Sequence, residues 1–296
     1  MKQTFYRLLA FAVLGSLAIS CSHDEVVAPS TAVSATSQLQ DATATRDGNL
    51  AMGNPSGATV STTNYSNYLL TKTQYTMSYN RDQGKPNWVS WHLSSAWIGS
   101  TARQDNFAAD NTLPTGWYRV GSTSYSGSGF DRGHNCPSAD RTGSVADNSA
   151  TFLMSNMMPQ APNNNQQTWA GLENYCRTLV NAGNELYIIC GSYGKGGTGS
   201  NGTVSTIDAG RVTVPSNCWK VVVVLPVGTS DASRVTSSTR VIAINTPNNN
   251  SISSSWGNYR TTVDAIEAAT GYDLLSAVST TVQATVEAKV DSGPTS

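Results

Sequence analysis

Charged side chains are scarce in this sequence. Asp, Glu, Lys and Arg make up 12% of its 296 residues, about half of the roughly 25% that is usual for soluble proteins. The formal net charge is −1, so the chain lacks the strongly basic character of proteins that coat nucleic acid. A site for phosphate groups must therefore depend on a few locally placed cations. Ser, Thr, Asn and Gly replace the missing charges, which is typical of exported proteins.

Long hydrophobic runs are also missing. No apolar run reaches the roughly 18 residues that are needed to span a bilayer. A shorter apolar run, residues 8–19, follows Lys2 and Arg7. Basic residues, a short apolar core and a small residue after it predict an export signal over residues 1–20.

The residue after this signal predicts a lipid anchor. Cys21 directly follows the predicted cleavage point, as in lipoprotein signals whose cysteine is lipidated after cleavage. We therefore expect an outer-membrane or cell-surface lipoprotein that contacts the membrane through Cys21. Ala18 stands where such signals usually carry Leu. Ordinary secretory cleavage near Cys21, which gives a secreted protein, is therefore kept as the alternative.

Composition divides the remaining chain into three parts. Residues 21–61 are rich in Ala, Thr, Ser, Gln and Asn without a hydrophobic period, which predicts a flexible stalk. Residues 62–285 carry periodic apolar segments and nothing that resembles a linker, which predicts one folded domain. Residues 286–296 are expected to form a tail.

Cysteine is rare, and its spacing lacks any CxxC pair. Apart from Cys21, the chain has four cysteines: Cys136, Cys176, Cys190 and Cys218. In an oxidising compartment they allow three disulfide pairings, which the sequence does not rank. Free buried thiols and a metal cluster are the two other interpretations. All three stay open at this point.

Secondary-structure signals indicate an α+β domain. Short segments rich in β-branched and aromatic residues predict four strands: Trp88–Leu93, Glu185–Cys190, Trp219–Leu225 and Val241–Asn245. Within the third, residues 221–225 are all apolar, as expected of a central strand that is covered on both faces. Strands and helices do not alternate regularly, which favours a mixed or antiparallel central sheet.

Helical spacing of apolar residues is clear in two segments. Residues 166–182 have this spacing and are followed by Gly183 as a stop signal. Thr261–Thr270 begins with Thr261-x-x-Asp264 as a capping signal and is followed by Gly271. The glycine-rich run 191–202 has no GxxxxGK[ST] pattern and predicts a surface loop.

Histidine is rarer still, with three in the chain. His23 falls in the predicted stalk and His92 in a predicted strand, where a structural role is expected. His134 ends the segment Asp131-Arg132-Gly133-His134, which follows a loop rich in Gly and Ser. Arg132 supplies a permanent cation that suits phosphate, and glycine permits a close approach of backbone or substrate. Because of these neighbouring residues, His134 is the candidate for acid–base chemistry.

A second block of polar residues lies downstream. Asn156-x-x-Pro159-Gln160 precedes Asn165-Gln166-x-x-Trp169-x-x-Leu172-Glu173, and Arg177 follows four residues later. Glu173 and Arg177 fall on one face of the predicted helix. Taken alone, they predict only a solvated ion pair.

The two blocks together resemble the DNA/RNA non-specific endonuclease family, which belongs to the ββα-metal superfamily. The segment DRGH at 131–134 matches the signature of that family, and residues 156–173 match its second block in order and spacing. The resemblance covers roughly residues 75–278. It implies an α+β, ββα-metal nuclease fold with a central, mostly antiparallel sheet flanked by helices.

The resemblance also implies an activity, a cofactor and partners. It implies a sugar-non-specific endonuclease that hydrolyses phosphodiester bonds of DNA and RNA. The implied metal is Mg²⁺, with Mn²⁺ or another divalent ion as the alternative. DNA and RNA are substrates without strong sequence preference, and we expect no obligate protein partner.

Roles of single residues follow from the same resemblance. His134 is implied as the general base that activates water, and Asn165 as the protein ligand of the metal. Glu173 is implied to hydrogen-bond metal-bound waters, and Asn156 to orient the site. The residues implied to contact the phosphate or the substrate are Arg132, Arg177, Arg103 and, more weakly, Gln160, with Arg119 as the competitor of Arg103.

Two other functions stay open. The first is a catalytically inactive nucleic-acid-binding surface protein on the same fold, against which the joint presence of His134, Asn165, Glu173 and Arg177 argues. The second is a secreted phosphodiesterase or toxin that acts on a narrower substrate.

Overall fold

The computed structural model describes residues 44–296. The predicted export signal, the lipidation candidate Cys21 and most of the predicted stalk, with His23, lie outside the described residues. No helix in the described part is long and apolar enough to cross a membrane.

Twelve strands and five α-helices make up the described region. The strands are β1 (Tyr68–Thr71), β2 (Thr76–Asn80), β3 (Lys85–Leu93), β4 (Asp131–His134), β5 (Met157–Gln160), β6 (Asn184–Tyr193), β7 (Gly197–Gly199), β8 (Gly202–Val204), β9 (Thr206–Ile207), β10 (Val212–Thr213), β11 (Asn217–Pro226) and β12 (Arg240–Pro247). The helices are α1 (Val145–Ala150), α2 (Ala170–Asn181), α3 (Asp231–Arg234), α4 (Val263–Thr270) and α5 (Thr280–Val286).

A six-stranded antiparallel sheet is the centre of the fold. Its strand order is β1-β2-β3-β6-β11-β12, and every neighbouring pair is antiparallel. All four predicted strands lie in this sheet, within β3, β6, β11 and β12. The α+β architecture with a mostly antiparallel sheet is therefore confirmed.

Both faces of the sheet are covered, which explains its continuous apolar strands. In β6, Leu186 and Ile188 belong to one buried cluster, whereas Tyr187 and Ile189 belong to the cluster on the opposite face. Successive side chains of a strand point to opposite faces, so a strand with two covered faces needs apolar residues at every position. The first face packs against α2, and the second packs against α4 and α5.

A separate strand pair lies next to the first face. β4 and β5 pair antiparallel, with Asp131 opposite Gln160 and His134 opposite Met157. The chain then enters a π-helical turn, Asn164–Trp169, that continues directly into α2. This β4–β5–α2 arrangement is a ββα unit, and π-helical turns often occur at functional sites.

The folded region extends further at both ends than the sequence predicted. Met52 is buried in the second core cluster, and the Ser90 hydroxyl donates to the carbonyl of Asn49 at 2.6 Å. At the other end, Asp291 bonds to Arg240 at 2.8 Å and to Arg260 at 3.4 Å. Residues 44–61 and 286–296 are thus part of the folded unit and are not a stalk and a tail.

Two further predictions are corrected by the structure, and a third is confirmed. The run 191–202 is not a loop, because β6 continues to Tyr193 and residues 197–204 form the β7–β8 hairpin. Helix α4 is capped by Thr262, whose side chain accepts from the amide of Ala265, one residue later than predicted. Its predicted end is confirmed, since Gly271 adopts the left-handed conformation with φ of 75°.

The four cysteines of the described region are free and buried, which contradicts the disulfide interpretation. Burial raises the pKa of Cys136, Cys176 and Cys218 to about 12. Metal ligation requires the thiolate, and burial in an apolar core disfavours that form. The structure therefore favours the interpretation of these residues as small apolar core side chains.

Candidate active site

The DRGH segment is held in place by a very close approach of its backbone to β5. A side chain at Gly133 would bring its Cβ within 2.4 Å of Gln160 Oε1 and 2.7 Å of Gln160 Cβ. Only glycine permits this separation of the two strands. The residues on either side of Gly133 are therefore fixed relative to β5 and to the helix that follows it.

His134 is buried between aromatic side chains at the end of β4. Its ring forms T-shaped contacts with the rings of Phe107 and Phe152, with centroid distances of 5.6 and 5.0 Å. Burial, and next the positive charge of Arg103, lower the pKa of His134 to about 3. Its Nε2 atom has no hydrogen-bond partner among the described residues. The imidazole is therefore neutral at physiological pH and has a free lone pair.

An open cleft of about 360 Å³ lies beside this histidine. Phe107 lines the cleft and also packs against the His134 ring. The lining residues come from the loops before β4, from β4 itself and from the π-helical turn: Arg103, Asp105, Phe107, Ser122, Tyr125, Ser126, Phe130, Asp131, Arg132 and Asn165.

Two arginines supply the positive charge of the cleft. The guanidinium of Arg132 stacks on the Phe107 ring at 3.7 Å. Arg103 bonds to Asp105 at 2.7 Å and to the Ser138 hydroxyl at 3.0 Å, which fixes its direction. Planar guanidinium groups suit the recognition of phosphate oxygens. The competitor Arg119 is absent from the cleft lining and donates to the carbonyl of Leu113 instead.

Asn165 and Asp131 together offer oxygen ligands for a metal ion. The amide nitrogen of Asn165 donates to Asp131 Oδ2 at 2.8 Å, and Gln166 donates to the same oxygen at 2.8 Å. Within the described residues, Asn165 Oδ1 accepts no hydrogen bond, and both side chains line the cleft. Amide and carboxylate oxygens are the ligands that Mg²⁺ and similar hard cations prefer, so these residues fit a divalent ion.

Asn156 connects the segment after β4 to the segment before β5. Its Oδ1 accepts from the amide of Cys136 at 3.0 Å, and its Nδ2 donates to the carbonyls of Cys136 and Thr151 at 2.8 and 2.9 Å. Both side-chain donors are thereby used, and the residue is fully buried. The geometry gives Asn156 a positioning role and no direct contact with the cleft.

Gln160 is buried behind the DRGH strand. It is fully inaccessible, and both polar atoms of its amide have no partner among the residues described. A buried unpaired amide is unfavourable by about 1–3 kcal/mol. Gln160 lies directly against Gly133 and does not line the cleft.

Glu173 and Arg177 lie on α2, but they do not pair with each other. The Glu173 carboxylate bonds to Lys220 at 3.2 Å, and Arg177 bonds to Asp140 at 2.7 Å. Lys220 projects from β11 and lies over the Trp169 ring at 4.1 Å. Burial lowers the pKa of Lys220, but Glu173 and the other acidic groups around it, Asp140 among them, together outweigh this effect, so the pKa is raised. Lys220 is therefore charged, and Glu173 is its counterion.

The structure thus divides the predicted residues into three groups. Arg103, Arg132 and Asn165 line the cleft, and His134 lies just behind it. Glu173 and Arg177 belong to a neighbouring charge network, and Asn156 and Gln160 are buried supports. His92 belongs to none of these groups, since its Nε2 pairs with Glu185 at 3.1 Å inside the core.

Sequence reasoning missed five residues of this region. Asp131 was part of the recognised motif but was given no role, and Lys220 is a lone cation in an apolar strand, which is itself a signal. The others are Asp105, Phe107 and Asp140. They come from segments with no motif, and only the folded chain brings them to the site.

Comparison with known proteins points to one family. A sequence model of the family described as DNA/RNA non-specific endonuclease matches residues 52–281. A nuclease of Nostoc sp. is 47% identical over 283 residues, which cover 96% of this chain and 97% of that protein. The mitochondrial nuclease EXOG of Danio rerio is 32% identical over 166 residues, which cover 54% of this chain and 48% of that protein.

A solved structure has a similar fold. One chain of the EndoG/EndoGI complex superposes with a TM-score of 0.63 and 23% identity. The superposition covers 80% of this chain and 94% of the solved chain. At this identity the likeness concerns the fold alone.

Proposed function

Since the chain belongs to the DNA/RNA non-specific endonuclease family, we propose that its cleft hydrolyses phosphodiester bonds with His134 as the general base and a divalent ion at Asn165. The family assignment makes the protein a nuclease that acts on DNA and RNA. One observation carries the finer proposal: a neutral, unpaired imidazole lies beside a cleft with two guanidinium groups and free oxygen ligands.

His134 takes the proton of the attacking water. A general base must be neutral and must have a free lone pair, and burial provides the first condition at His134. The missing partner of Nε2 provides the second. Phe107 and Phe152 hold the ring by edge contacts, so that Nε2 keeps one direction.

Arg132 and Arg103 hold the scissile phosphate. Each has a fixed guanidinium at the cleft, one on the ring of Phe107 and the other on Asp105 and Ser138. Arginine contacts to phosphate carry no information about the base. Recognition through two such contacts, on a chain with a net charge of −1, supports cleavage without strong sequence preference.

Asn165 holds the metal ion, and Asp131 orients the Asn165 amide through their hydrogen bond. A divalent ion at this place supplies positive charge that stabilises the transition state and the leaving oxygen. Mg²⁺ is our first choice, and Mn²⁺ is the alternative, because the ligands available are oxygens. Glu173, paired with Lys220, is proposed to hold waters of the metal, and Arg177 to add positive charge near the phosphate.

We further propose that the protein is exported and held at the outer membrane or cell surface through a lipid on Cys21. The support is the order of Lys2, Arg7, an apolar run and Cys21 in the sequence. Metabolic labelling with a radioactive fatty acid tests it. Label that is lost in Cys21→Ser supports the anchor, and an unlabelled, secreted protein overturns it.

One cleavage experiment tests the activity, the metal and the base together. Plasmid DNA and a single-stranded RNA are incubated with the protein in Mg²⁺, in Mn²⁺ and in a chelator. We expect loss of both substrates only with a divalent ion, and no cleavage by His134→Ala, which keeps its fold by circular dichroism. His92→Ala is not a suitable control because His92 is in the core. Lys195→Ala, at an exposed position, is the matched control.

Three results would overturn the proposal. Near-wild-type turnover by His134→Ala removes the general-base role. Binding of nucleic acid without cleavage in any divalent ion favours an inactive binding protein, and cleavage of one narrow substrate alone favours a specialised phosphodiesterase.

A further inference from the structure

Three carboxylates meet on the side of the sheet opposite α2. Asp264 and Glu267 lie three residues apart on α4, and Glu287 follows the last residue of α5. Residues at this spacing face the same side of a helix. One oxygen from each carboxylate lies within 4.8 Å of one from each of the others. The cluster therefore joins two consecutive helices, α4 and α5.

Glu287 is the member that makes this cluster unusual. Glu287 is only 6% exposed, and its Oε1 atom has no hydrogen-bond partner among the residues described. None of the three acids forms an ion pair with a cation of the described region. Buried carboxylates are normally paired, protonated or bound to a metal. Glu287 has no protein partner that could fill the first role.

The surroundings add negative charge and no positive charge. Burial, and next the charges of Glu267, Asp264 and Asp273, raise the pKa of Glu287 to about 7. Glu267 uses one oxygen to accept from the amide of Leu274 at 2.7 Å, which leaves its other oxygen available. An ionised Glu287 thus faces a concentration of like charge that a bound cation would relieve.

We propose that Asp264, Glu267 and Glu287 form a binding site for one divalent cation of the Ca²⁺ type, separate from the cleft. Ca²⁺ binds carboxylate oxygens at about 2.4 Å, so that two of its ligands can lie up to about 4.8 Å apart. Each pair of the three oxygens lies within this limit, and a small inward movement of the exposed Asp264 side chain would let all three bind one ion. Mg²⁺, with bonds of about 2.0–2.1 Å, requires a tighter arrangement.

The site is distinct from the active site in position and role. No residue of the cluster lines the cleft, and Val263 and Ile266 of α4 pack in the second core cluster, on the other face of the sheet. A cation here links α4 to the chain end that follows α5. Its role is to stabilise the folded protein, and catalysis does not depend on it directly.

Thermal unfolding in chelator and in Ca²⁺ tests the proposal. A ligand that binds only the folded state raises the unfolding temperature as its concentration exceeds Kd. We expect a rise of several degrees in millimolar Ca²⁺. The rise is also expected in Asn165→Ala, because this variant lacks the proposed ligand of the catalytic metal.

Glu287→Gln is the decisive variant. It keeps the shape of the side chain but removes the charge, so we expect the Ca²⁺-dependent rise to disappear. In chelator its unfolding temperature should equal or exceed that of the wild type, because repulsion is removed. Asp82→Asn, at an exposed acid paired with Arg81, is the matched control and should keep the rise.

Calorimetric titration with Ca²⁺ gives an independent measure. In Asn165→Ala we expect one Ca²⁺ per chain, and in Asn165→Ala/Glu287→Gln none. If Glu287→Gln does not fold, Asp264→Asn at the exposed end of the cluster should weaken Ca²⁺ binding at least tenfold. The proposal is overturned if Ca²⁺ produces no rise, or if the rise survives in Glu287→Gln. Nuclease activity of Glu287→Gln in Mg²⁺ is expected to be unchanged.

Discussion

His134 shows how a buried position keeps a side chain neutral and without a hydrogen-bond partner. The sequence places this histidine in a recognisable motif, and the motif was sufficient to predict its role. The two phenylalanine contacts come from segments at residues 107 and 152, and the lowered pKa comes from burial and from Arg103. No pattern in the sequence links these residues to His134. The identity of the base was therefore predictable, and its environment was not.

We predict that nuclease activity does not show an acid limb centred on 6.5, the usual pKa of histidine. Because the pKa of His134 is lowered to about 3, the imidazole stays neutral as the pH falls through 6 and 5. A profile of kcat/KM against pH at saturating metal measures this. A decline of unit slope centred near 6.5 would contradict it.

The same pKa has a consequence for stability. The unfolded chain binds a proton at His134 below about pH 6.5, whereas the folded chain does so only near 3. The contribution of His134 to the free energy of unfolding is therefore fully present above about pH 6.5, and it is lost as the pH falls towards 3. His134→Gln should reduce this slope in urea unfolding at pH 7.5, 6 and 5. An unchanged slope would show that other groups cause the acid sensitivity.

At the scale of elements, the β4–β5 pair depends on the absence of a side chain at Gly133. Gly133→Ala places a Cβ 2.7 Å from Gln160 Cβ, so the strands must separate. We expect a loss of stability of about 1–3 kcal/mol and a loss of kcat/KM of about 100-fold, because a shift of about 1 Å misplaces His134. Urea unfolding and cleavage kinetics measure both. Gly48→Ala, where nothing lies within 4 Å, is the control.

The contact between α2 and β11 depends on a buried ion pair. Lys220→Met leaves Glu173 buried without a counterion, which should cost about 3–5 kcal/mol in urea unfolding. Adding Glu173→Gln to Lys220→Met should restore most of this loss, since no buried charge remains. Lys195→Met, at an exposed lysine, should change stability by less than about 0.5 kcal/mol. Equal losses in the single and double variants would exclude the ion pair as the cause.

Strong patterns predicted the elements well, and weak patterns failed for physical reasons. Four strands were found because a sheet covered on both faces requires continuous apolar runs. The β7–β8 hairpin was missed, since its glycine-rich sequence at 197–204 lacks any apolar alternation. The pairing of Glu173 with Lys220 was missed as well, because helical spacing relates Glu173 only to residues on its own helix.

For the whole molecule, the region before residue 62 is part of the stable fold. Met52 is 1% exposed in the second core cluster, and Ser56 accepts a hydrogen bond from the Trp88 indole at 2.8 Å. The sequence did not predict this, because single apolar residues among Ala, Ser and Thr carry no periodic signal. Their partners lie in the central sheet, and only the folded chain identifies them.

We predict that Met52→Ala lowers the free energy of unfolding by about 2–5 kcal/mol, because it leaves a cavity in this core. Val60→Ala, at a residue that is 71% exposed, should have almost no effect. A chain that begins at residue 44 should unfold at the temperature of the wild type, and one that begins at residue 62 at a clearly lower temperature. Equal unfolding temperatures for both shortened chains would contradict the prediction.

The order of strands in the sheet shows which part of the sequence supplies the residues of the cleft. β3 and β6 are neighbours in the sheet, but they are separated in sequence by residues 94–183. Every residue that lines the cleft comes from this single excursion, as do His134, Glu173 and Arg177. The chain leaves the sheet at Leu93, the end of β3, and re-enters it at Asn184, the start of β6. The residues of the candidate active site therefore form one continuous insertion between two neighbouring strands of the sheet. The remaining chain can therefore diverge, within the limits of stability, without changing any group that meets the nucleic acid in the cleft.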